Sequence, residues 1–548
     1  MDTKTTDDER LNAPFLAFAC TLLLVLTGDL CLQTLGFIGG LPLAGASMFL
    51  AIPFALLLTY GYGFRVSERE IFTGLLLAGL LAGIGIVSRN WLDFTADGLG
   101  YQQSAAEAIL NGWNPFTSDS EMFWQNIYPS AAARSEASLA FLYRSIEDTK
   151  MLQIWWLFIA LPVFLAGLRK TLGGLNLVQT MLAALCVLST TTLNQMLTHY
   201  VDSYTYLCGL TFIGGLLLYG ETRRSREVAS VIMTACILYI VNIKLTGIYH
   251  AVMLCAGAVL YLGARNRRLP WKLAFLLCGA WWAGVLIVGF RPYVTNAVSY
   301  GLLLHYFPSP DQPMEVFSGQ QRPSSFDGLP GFVRYWYSLF SITGGAPHEP
   351  AQLKWPWTIH PLEWKFSGDP DARTGGFGPL YALGFLLSLA MFAVAVLKKI
   401  PFHKPLALLA FVCLIFSAAF AQSWWARYVP FGYAVPFILL LSLPHRRMPW
   451  GLAVVALVFL VNSAMAGSAA LAAFKRDQRH FQEVVLALRA APAGSVYLVP
   501  PVPDYKKYNG AYMPLQRRLK AEGIETSVRA GANCPHPVET YSEFTLCY

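Results

Sequence analysis

Residues 89–116 read RNWLDFTADGLGYQQSAAEAILNGWNPF and begin directly after an apolar segment long enough to cross a bilayer. Two carboxylates, Asp93 and Asp97, stand four residues apart, and the apolar residues of 103–110 recur at helical spacing. The Asn-Gly and Asn-Pro pairs of 111–115 are typical of turns and predict the end of that helix. We therefore predict the first outer loop of a membrane enzyme, with Asp97 as its best candidate for a catalytic base.

The composition places the chain among membrane proteins. Of its 548 residues, 55% are hydrophobic and 13% are charged, and the mean hydropathy is +0.46. Such a chain is too apolar for a soluble globule. The formal net charge of +8 arises from Lys and Arg clusters between apolar runs, a pattern that positive-inside topology explains, so no nucleic-acid partner is expected.

Runs of about 20 mostly apolar residues predict about thirteen transmembrane helices. They lie near residues 12–36, 41–61, 70–88, 151–168, 176–197, 203–220, 226–243, 246–264, 271–290, 376–397, 404–421, 428–444 and 449–470. Lys and Arg concentrate in alternate connections, which predicts a cytoplasmic N-terminus and a periplasmic C-terminus. The acidic N-terminal segment and the length of the first run predict a retained first span rather than a cleaved signal peptide.

The predicted fold class is an all-α polytopic membrane protein with a small C-terminal extracytoplasmic α/β domain. Transmembrane helices are predicted in 1–88, 151–290 and 376–470, and periplasmic segments in 89–150, 291–375 and 471–548. In the tail, strands are predicted at 495–499 and 524–528 and a helix at 515–522. If the tail lies in an oxidising compartment, Cys534 and Cys547 could form a disulfide.

The other two outer segments also have predicted structures. The first contains two helices, 103–110 and 134–146, which we expect at the membrane interface; the second of them could serve only to pack the loop onto the bilayer. The segment 291–375 is rich in Pro, Gly, Trp and Tyr and lacks clear periodicity. Its length indicates function or disorder, and its aromatic content argues against disorder.

Polar residues gather at the predicted outer ends of the spans and in the first loop. They are Tyr101, His199, Asp202, Lys244, Arg291, Tyr293, Arg427 and Tyr428. Ionisable groups near hydrocarbon are costly and often mark substrate paths. We predict that these residues, as substrate-binding groups, converge with Asp93 and Asp97 in one site at the outer face of the membrane.

The residue types of this site indicate a substrate. A carboxylate can take a hydroxyl proton, while Lys and Arg can neutralise a departing phosphate. A polyprenyl-phosphate sugar fits this description, and a soluble nucleotide sugar is not expected on this face. The chain would then contact membrane lipid, a sugar donor and an acceptor.

Each residue also has a structural interpretation. Lys244 and Arg291 could extend their charged ends to lipid headgroups, and Arg427 could be a cation–π anchor between aromatic neighbours. Asp93 and Asp202 could cap helices.

Asp97 could be a turn residue. The pair Asp93 and Asp97 could hold a divalent cation, which two acids at this spacing indicate only weakly. No other cofactor is predicted, because His and Cys lack zinc-binding spacing and neither a Walker loop nor a dinucleotide fingerprint occurs.

Five short strings resemble those of the GT-C superfamily, integral-membrane glycosyltransferases that use polyprenyl-phosphate-linked sugars. They are DGLGY at 97–101, GWNP at 112–115, NIK at 242–244, RPY at 291–293 and WARY at 425–428. The resemblance implies that Asp97 activates the acceptor, with Asp93 second. It also implies that some of Lys244, Arg291 and Arg427 lie near the lipid phosphate. In that superfamily the acidic loop usually follows the first span, whereas here it follows the third, which two extra N-terminal spans would explain.

Residue chemistry and resemblance together predict an inverting hexosyl- or pentosyltransferase of the bacterial inner membrane, acting on a cell-envelope glycan. It would transfer a sugar from a polyprenyl-phosphate donor to a glycan, lipid-linked or protein acceptor on the periplasmic side. A lipid-linked oligosaccharide polymerase or ligase shares these features and stays open. A transporter or flippase of a lipid-linked solute is a further alternative, although the polar groups cluster at one face and no repeat is evident.

Overall fold

The computed structural model describes residues 14–41, 43, 45–61, 68–120, 122–267, 270–304, 321–344, 348–492, 495–500, 512–541 and 544–548. The acidic N-terminal segment, on which the signal-peptide prediction rests, lies outside the described residues.

Helices dominate the described part of the chain. Up to residue 266 they are α1 (Pro14–Ile38), α2 (Ala46–Gly61), α3 (Glu68–Ser88), α4 (Gln103–Leu110), α5 (Phe123–Ile127), α6 (Ala131–Tyr143), α7 (Met151–Leu172), α8 (Leu177–Val187), α9 (Thr190–Gln195), α10 (Asp202–Leu218), α11 (Arg223–Ile240) and α12 (Gly247–Asn266). After it they are α13 (Trp271–Ala283), α14 (Thr295–Tyr300), α15 (Gly331–Leu339), α16 (Glu363–Phe366), α17 (Tyr381–Leu397), α18 (Lys404–Ala419), α19 (Phe431–Ser442), α20 (Pro449–Arg489) and α21 (Tyr512–Ala521). Short 3₁₀ or π turns occupy Gly98–Gln102, Ile146–Lys150, Gly284–Val288, Phe290–Val294, Ser324–Phe326, Ala426–Tyr428 and His445–Arg447.

Each predicted span coincides with a helix or, for the fifth, with a pair of helices. By length and composition, five helices of the described residues could cross a membrane: Phe15–Ile38, Ile146–Leu172, Gly247–Asn266, Trp271–Val288 and Pro449–Arg489. Helices suit such sequences because they satisfy every backbone hydrogen bond within the segment. The predicted all-α polytopic fold is confirmed.

The fifth predicted span is interrupted between α8 and α9. Leu188 leaves the helical conformation, and the Ser189 hydroxyl accepts a hydrogen bond from the Thr192 N–H, which caps the new helix. The break brings the end of α9 to the start of α10, where Gln195 donates to Asp202 over 3.1 Å. A capped break thus places polar side chains at the predicted outer end of this span.

The two helices predicted at the membrane interface take different positions. The first, α4, occupies the predicted residues 103–110 and is preceded by a π turn. The second, α6, is enclosed by protein from Ala131 to Ala140, and its Arg134 donates to Thr34 Oγ1 over 2.9 Å. A run of alanines lets neighbouring helices approach α6 closely. Its predicted place at the membrane interface stays a prediction.

The C-terminal part forms a small α/β module, defined here as α20 from Gln478 onward with β1 (Tyr497–Val499), α21, β2 (Ser527–Val528), β3 (Pro537–Tyr541) and β4 (Phe544–Cys547). The sheet order is β2-β1-β4-β3; β1 is parallel to β2, and the other pairs are antiparallel. The predicted strands and helix are present, and so is the Cys534–Cys547 disulfide.

Two features of this module differ from the sequence expectation. The prediction does not include strands β3 and β4, because the apolar and polar residues of 537–547 alternate only over stretches of a few residues. The last span and the first helix of the module form one helix, α20, so the predicted boundary at 470 lies inside a continuous helix.

Candidate active site

The structure brings Asp97 and Arg427 together, although 330 positions separate them in the chain. Arg427 Nη1 donates to Asp97 Oδ2 over 2.7 Å. Asp97 precedes the π turn at Gly98, and Arg427 lies in the 3₁₀ turn between α18 and α19. The Asp97 side chain is 22% exposed, so a ligand can reach it. The predicted convergence of an acid with a cation is therefore present in the geometry.

Lys244 and Asp202 extend this pair into a cluster. Lys244 Nζ lies 2.7 Å from Asp202 Oδ1, and Arg427 Nη1 lies 3.7 Å from Asp202 Oδ2. Burial alone would lower the pKa of Lys244, but the neighbouring Asp202 carboxylate raises it above its usual value. Lys244 therefore stays charged although it is buried.

Aromatic rings surround the two cations. Lys244 Nζ lies 3.9 Å from the ring centre of Tyr428, and the Arg427 guanidinium lies 4.5 Å from Trp425 and 5.1 Å from Tyr200. Such rings favour a cation and hold a flat guanidinium in one orientation. Arg427 can therefore be a cation–π anchor and also bind a ligand. The rings pack on the guanidinium, while its N–H groups remain accessible to the carboxylates.

A third carboxylate, Asp371, faces Arg427 from the irregular segment 291–375. Its Oδ1 lies 2.9 Å from Arg427 Nε without hydrogen-bond geometry, and Arg373 Nη2 lies 3.1 Å from its Oδ2. Burial raises the pKa of Asp371 to about 6, against the lowering effect of Arg427 and Arg373. Its side chain is 21% exposed.

The sequence prediction did not include Asp371. The signal was present, since DPDAR at 369–373 concentrates charges in a charge-poor chain. The irregular loop around it gave no periodicity from which its orientation could be inferred.

Asp371 and Asp97 also act on Arg427 itself. Burial would lower the pKa of Arg427, but the two carboxylates raise it well above the usual value. The cluster of Arg427 and Lys244 with their three carboxylates therefore keeps both cations charged. An anion that displaced a carboxylate from Arg427 would meet a permanently charged partner.

Asp93 and His199 lie apart from this cluster and contact each other. Asp93 Oδ2 accepts from the His199 backbone N–H over 2.7 Å and from Nδ1 over 2.9 Å, while Thr95 donates twice to Oδ1. Burial lowers the pKa of His199, so we assign a neutral ring with the proton on Nδ1. Burial would raise the pKa of Asp93, but the bond from His199 lowers it.

Both side chains of this pair are fully buried, and both carboxylate oxygens of Asp93 have protein donors. The two acids of the first loop therefore point to different partners and do not form the cation site that their spacing allowed. In the part of the chain that the structure describes, no group of three or more His, Cys, Asp or Glu could hold a metal ion.

Arg291, Tyr293 and Tyr101 form a second region. Arg291 Nη1 contacts Asp119 at 2.6 Å and Asn126 at 2.9 Å, beside a polar cavity of about 300 Å³. Tyr293 is buried with its hydroxyl on the Val241 carbonyl, and Tyr101 packs on Trp124 and Tyr128. The predicted site residues thus divide into the Asp97–Arg427 cluster, the buried Asp93–His199 pair and this region, and their roles stay predictions.

An apolar cavity of about 320 Å³ lies between the first loop and the long C-terminal helix α20. Trp91, Phe94, Leu197, Leu471 and Phe474 are among its lining residues. Its lining also includes Asp93 of the buried pair and Pro370, which precedes Asp371 in the chain.

Among solved structures, the chain is similar to the crystal structure of ArnT from Cupriavidus metallidurans bound to undecaprenyl phosphate. The sequences are 10% identical, the TM-score is 0.47, and the similarity covers 86% of this chain and 97% of that one. No protein-family model and no curated protein matches the chain. A likeness of this degree does not assign a reaction or a substrate to this chain.

Proposed function

We propose that the protein is a GT-C-type glycosyltransferase that transfers a sugar from a polyprenyl-phosphate donor to a hydroxyl acceptor at the periplasmic face of the bacterial inner membrane. The observation that carries this proposal is the Arg427 guanidinium, buried between three carboxylates and adjacent to Lys244, with Asp97 and Asp371 still partly exposed. Single-displacement transfer needs a base for the acceptor hydroxyl and a cation for the leaving phosphate, and here the candidate base directly contacts the candidate cation.

In the proposed reaction, Asp97 accepts the proton of the acceptor hydroxyl. The acceptor oxygen forms a bond to the anomeric carbon while the bond from that carbon to the phosphate oxygen breaks. Polyprenyl phosphate leaves with the bonding electron pair, and Arg427 and Lys244 stabilise its charge. Attack opposite to the leaving group inverts the anomeric configuration.

The ion pairs of the cluster suggest how the base becomes available. Arg427 holds Asp97 at 2.7 Å, so this carboxylate occupies a place that a phosphate oxygen would take. A donor phosphate that binds Arg427 would release Asp97 toward the acceptor. Donor binding and activation of the base would then be one event.

The apolar cavity supports a lipid-linked donor. Its aromatic and aliphatic lining offers a hydrocarbon chain a surface, and its lining residue Pro370 is the chain neighbour of Asp371 in the charged cluster that suits a headgroup. Apolar space and anion-binding groups side by side match an amphipathic substrate better than a free sugar phosphate.

Donor class is the direct test. Purified protein in proteoliposomes is offered a polyprenyl-phosphate sugar, the corresponding polyprenyl-pyrophosphate sugar and a nucleotide sugar, with inversion read from the product. We expect transfer from the monophosphate donor alone. Transfer only from the pyrophosphate donor would identify a lipid-linked oligosaccharide polymerase or ligase instead, and movement of a lipid-linked solute without transfer would identify a transporter or flippase.

The pKa of Asp371 predicts a pH dependence. Below about pH 6 this carboxyl is neutral and no longer counters the charge at Arg427 Nε, whereas above about pH 6 it is ionised and fixes the guanidinium. We expect the turnover number to rise as the pH increases through this value, with a midpoint of about 6. An Asp371→Asn variant should be slower and should lack this rise, as measured by initial rates at saturating donor. An unchanged profile in the variant would contradict the assignment.

A further inference from the structure

The segment that carries Asp97 completes the core of the C-terminal module. Leu99, two residues beyond Asp97, is fully buried in one apolar cluster with Phe481, Leu515 and other residues of that module. Phe94, three residues before Asp97, packs against the same cluster, and its ring centre lies 5.1 Å from that of Phe481. Residues on both sides of Asp97 therefore share one core with the module.

Polar contacts join the same two parts. The Gln478 side chain accepts from the Leu92 N–H over 3.1 Å and donates to the Leu92 carbonyl over 2.6 Å. Arg518 of α21 is 4% exposed, and its Nη1 donates to the Asp93 carbonyl over 2.7 Å. The loop backbone is thus held by side chains of the module at two successive residues.

Arg518 is itself fixed in place. Its Nε and Nη2 donate to the two carboxylate oxygens of Glu147 over 2.8 and 3.0 Å, and its guanidinium lies 4.9 Å from the ring centre of Phe94. A bidentate pair of this kind sets orientation as well as attraction. Arg518 therefore ties the loop to the segment that begins α7.

The contacts of Gln478 and Arg518 with the backbone of Leu92 and Asp93 are called the joint below. A tight turn links this joint to Asp97. Asp93 accepts two hydrogen bonds from Thr95, and a Cβ at Gly98 would overlap the Asp93 carboxylate. The turn has little room to adjust, so a shift of the Asp93 backbone is passed on to Asp97.

We propose that Arg518 is a positioning residue and that the C-terminal module sets the place of Asp97 beside Arg427. This inference rests on the proposed function, because it assigns the module a role in the reaction of that site. Misplacement of a reacting group by about 1 Å can lower a rate by about 100-fold. A module that merely covered the site would not need to hold the backbone of the catalytic loop.

The first test is Arg518→Met, assayed beside Arg518→Lys. We expect kcat of the methionine variant to fall about 100-fold with an unchanged donor KM, because the base is displaced while the phosphate site is intact. Glu147 keeps two other cations as partners, Arg517 at 3.2 Å and Lys150 at 3.7 Å, so its charge stays compensated. Arg518→Lys should restore part of kcat, because an ammonium can still reach one of the two acceptors.

A second variant tests the joint without removing a charge. Gln478→Met deletes both hydrogen bonds to Leu92 and leaves every ion pair of the module in place. It should lower kcat less than Arg518→Met does, again with an unchanged donor KM. If Arg518→Met does not fold, Gln478→Met alone tests the positioning role of the module. Arg489→Met is the matched control, since Arg489 lies on the same module and pairs with Glu522 at its surface.

Hydrogen–deuterium exchange separates this inference from the proposed function. Peptides covering 92–103 should exchange faster in the two methionine variants of the joint and at the wild-type rate in the control. Absence of sugar transfer by the wild type would refute the proposed function, while faster exchange would still support the joint. Wild-type kcat in a folded joint variant, or a lower kcat with unchanged exchange, would overturn the positioning role.

Discussion

Replacing Asp97 by Asn is expected to lower the turnover number for sugar transfer by about 10²–10⁴-fold, the range that general-base catalysis usually contributes. An amide keeps the shape of the carboxylate and its Oδ1 can still accept from Arg427, but it cannot take a proton from the acceptor. The fold should therefore survive while the chemical step fails. The measurement is kcat with a polyprenyl-phosphate sugar, with Tm recorded on the same preparation.

Asp327→Asn is the control for this variant. Asp327 belongs to the segment 291–375, as Asp371 does, and its side chain is 65% exposed in a surface pair with Arg322. Such pairs contribute about 0–1 kcal/mol, so activity and Tm should hardly change. Near wild-type turnover in a folded Asp97→Asn protein would remove Asp97 from the mechanism.

A measurement of polyprenyl-phosphate binding distinguishes a role of Asp97 as the base from a role in the phosphate site. Asp97→Asn should bind this product lipid at least as tightly as the wild type, because the amide competes less well for Arg427. A loss of binding together with turnover would mean that Asp97 supports the phosphate site instead.

Much of the membrane region could be predicted because its pattern is local. Apolar runs located the helices, and the cost of charge near hydrocarbon singled out Asp202, Lys244 and Arg427. These three residues meet in the structure. The prediction also grouped Asp93 with Asp97, because the two acids are close in the chain. Spacing along the chain does not show that the Asp93 side chain turns inward to His199.

The remainder depends on contacts between distant parts of the chain. Asp371 comes from an irregular loop, and Arg518 reaches the Asp93 carbonyl across 425 positions. Asp371 lies in no periodic pattern, and the predicted helix at 515–522 does not indicate which distant group Arg518 contacts. Sequence reasoning identified the kinds of residue that the site requires, but tertiary packing selects which of them meet.

Replacing Arg427 by Gln should abolish most activity by a different route. Three carboxylates would lose their shared counterion, and the leaving phosphate would lose a charged partner. Removal of one group that stabilises the developing charge typically lowers kcat by about 10²–10³-fold. Breaking a buried ion pair from one side also destabilises by about 3–5 kcal/mol, so a lower Tm is expected. Arg427→Lys should keep one contact and lose the others, since an ammonium cannot reproduce the guanidinium fork.

A double variant separates stability from chemistry. Arg427→Gln combined with Asp371→Asn removes one of the three negative charges that Arg427 balanced, although Asp371 also pairs with Arg373. Tm should therefore recover in part, whereas turnover and polyprenyl-phosphate binding should stay low. Arg322→Gln serves as the matched control, because Arg322 lies in the segment 291–375 and its partner Asp327 is exposed. Recovery of turnover along with Tm would show that Arg427 only balances charge. If turnover stays below that of Asp371→Asn alone while Tm recovers, the guanidinium acts on the phosphate itself, because the fold is intact and the loss exceeds what the Asp371 change causes.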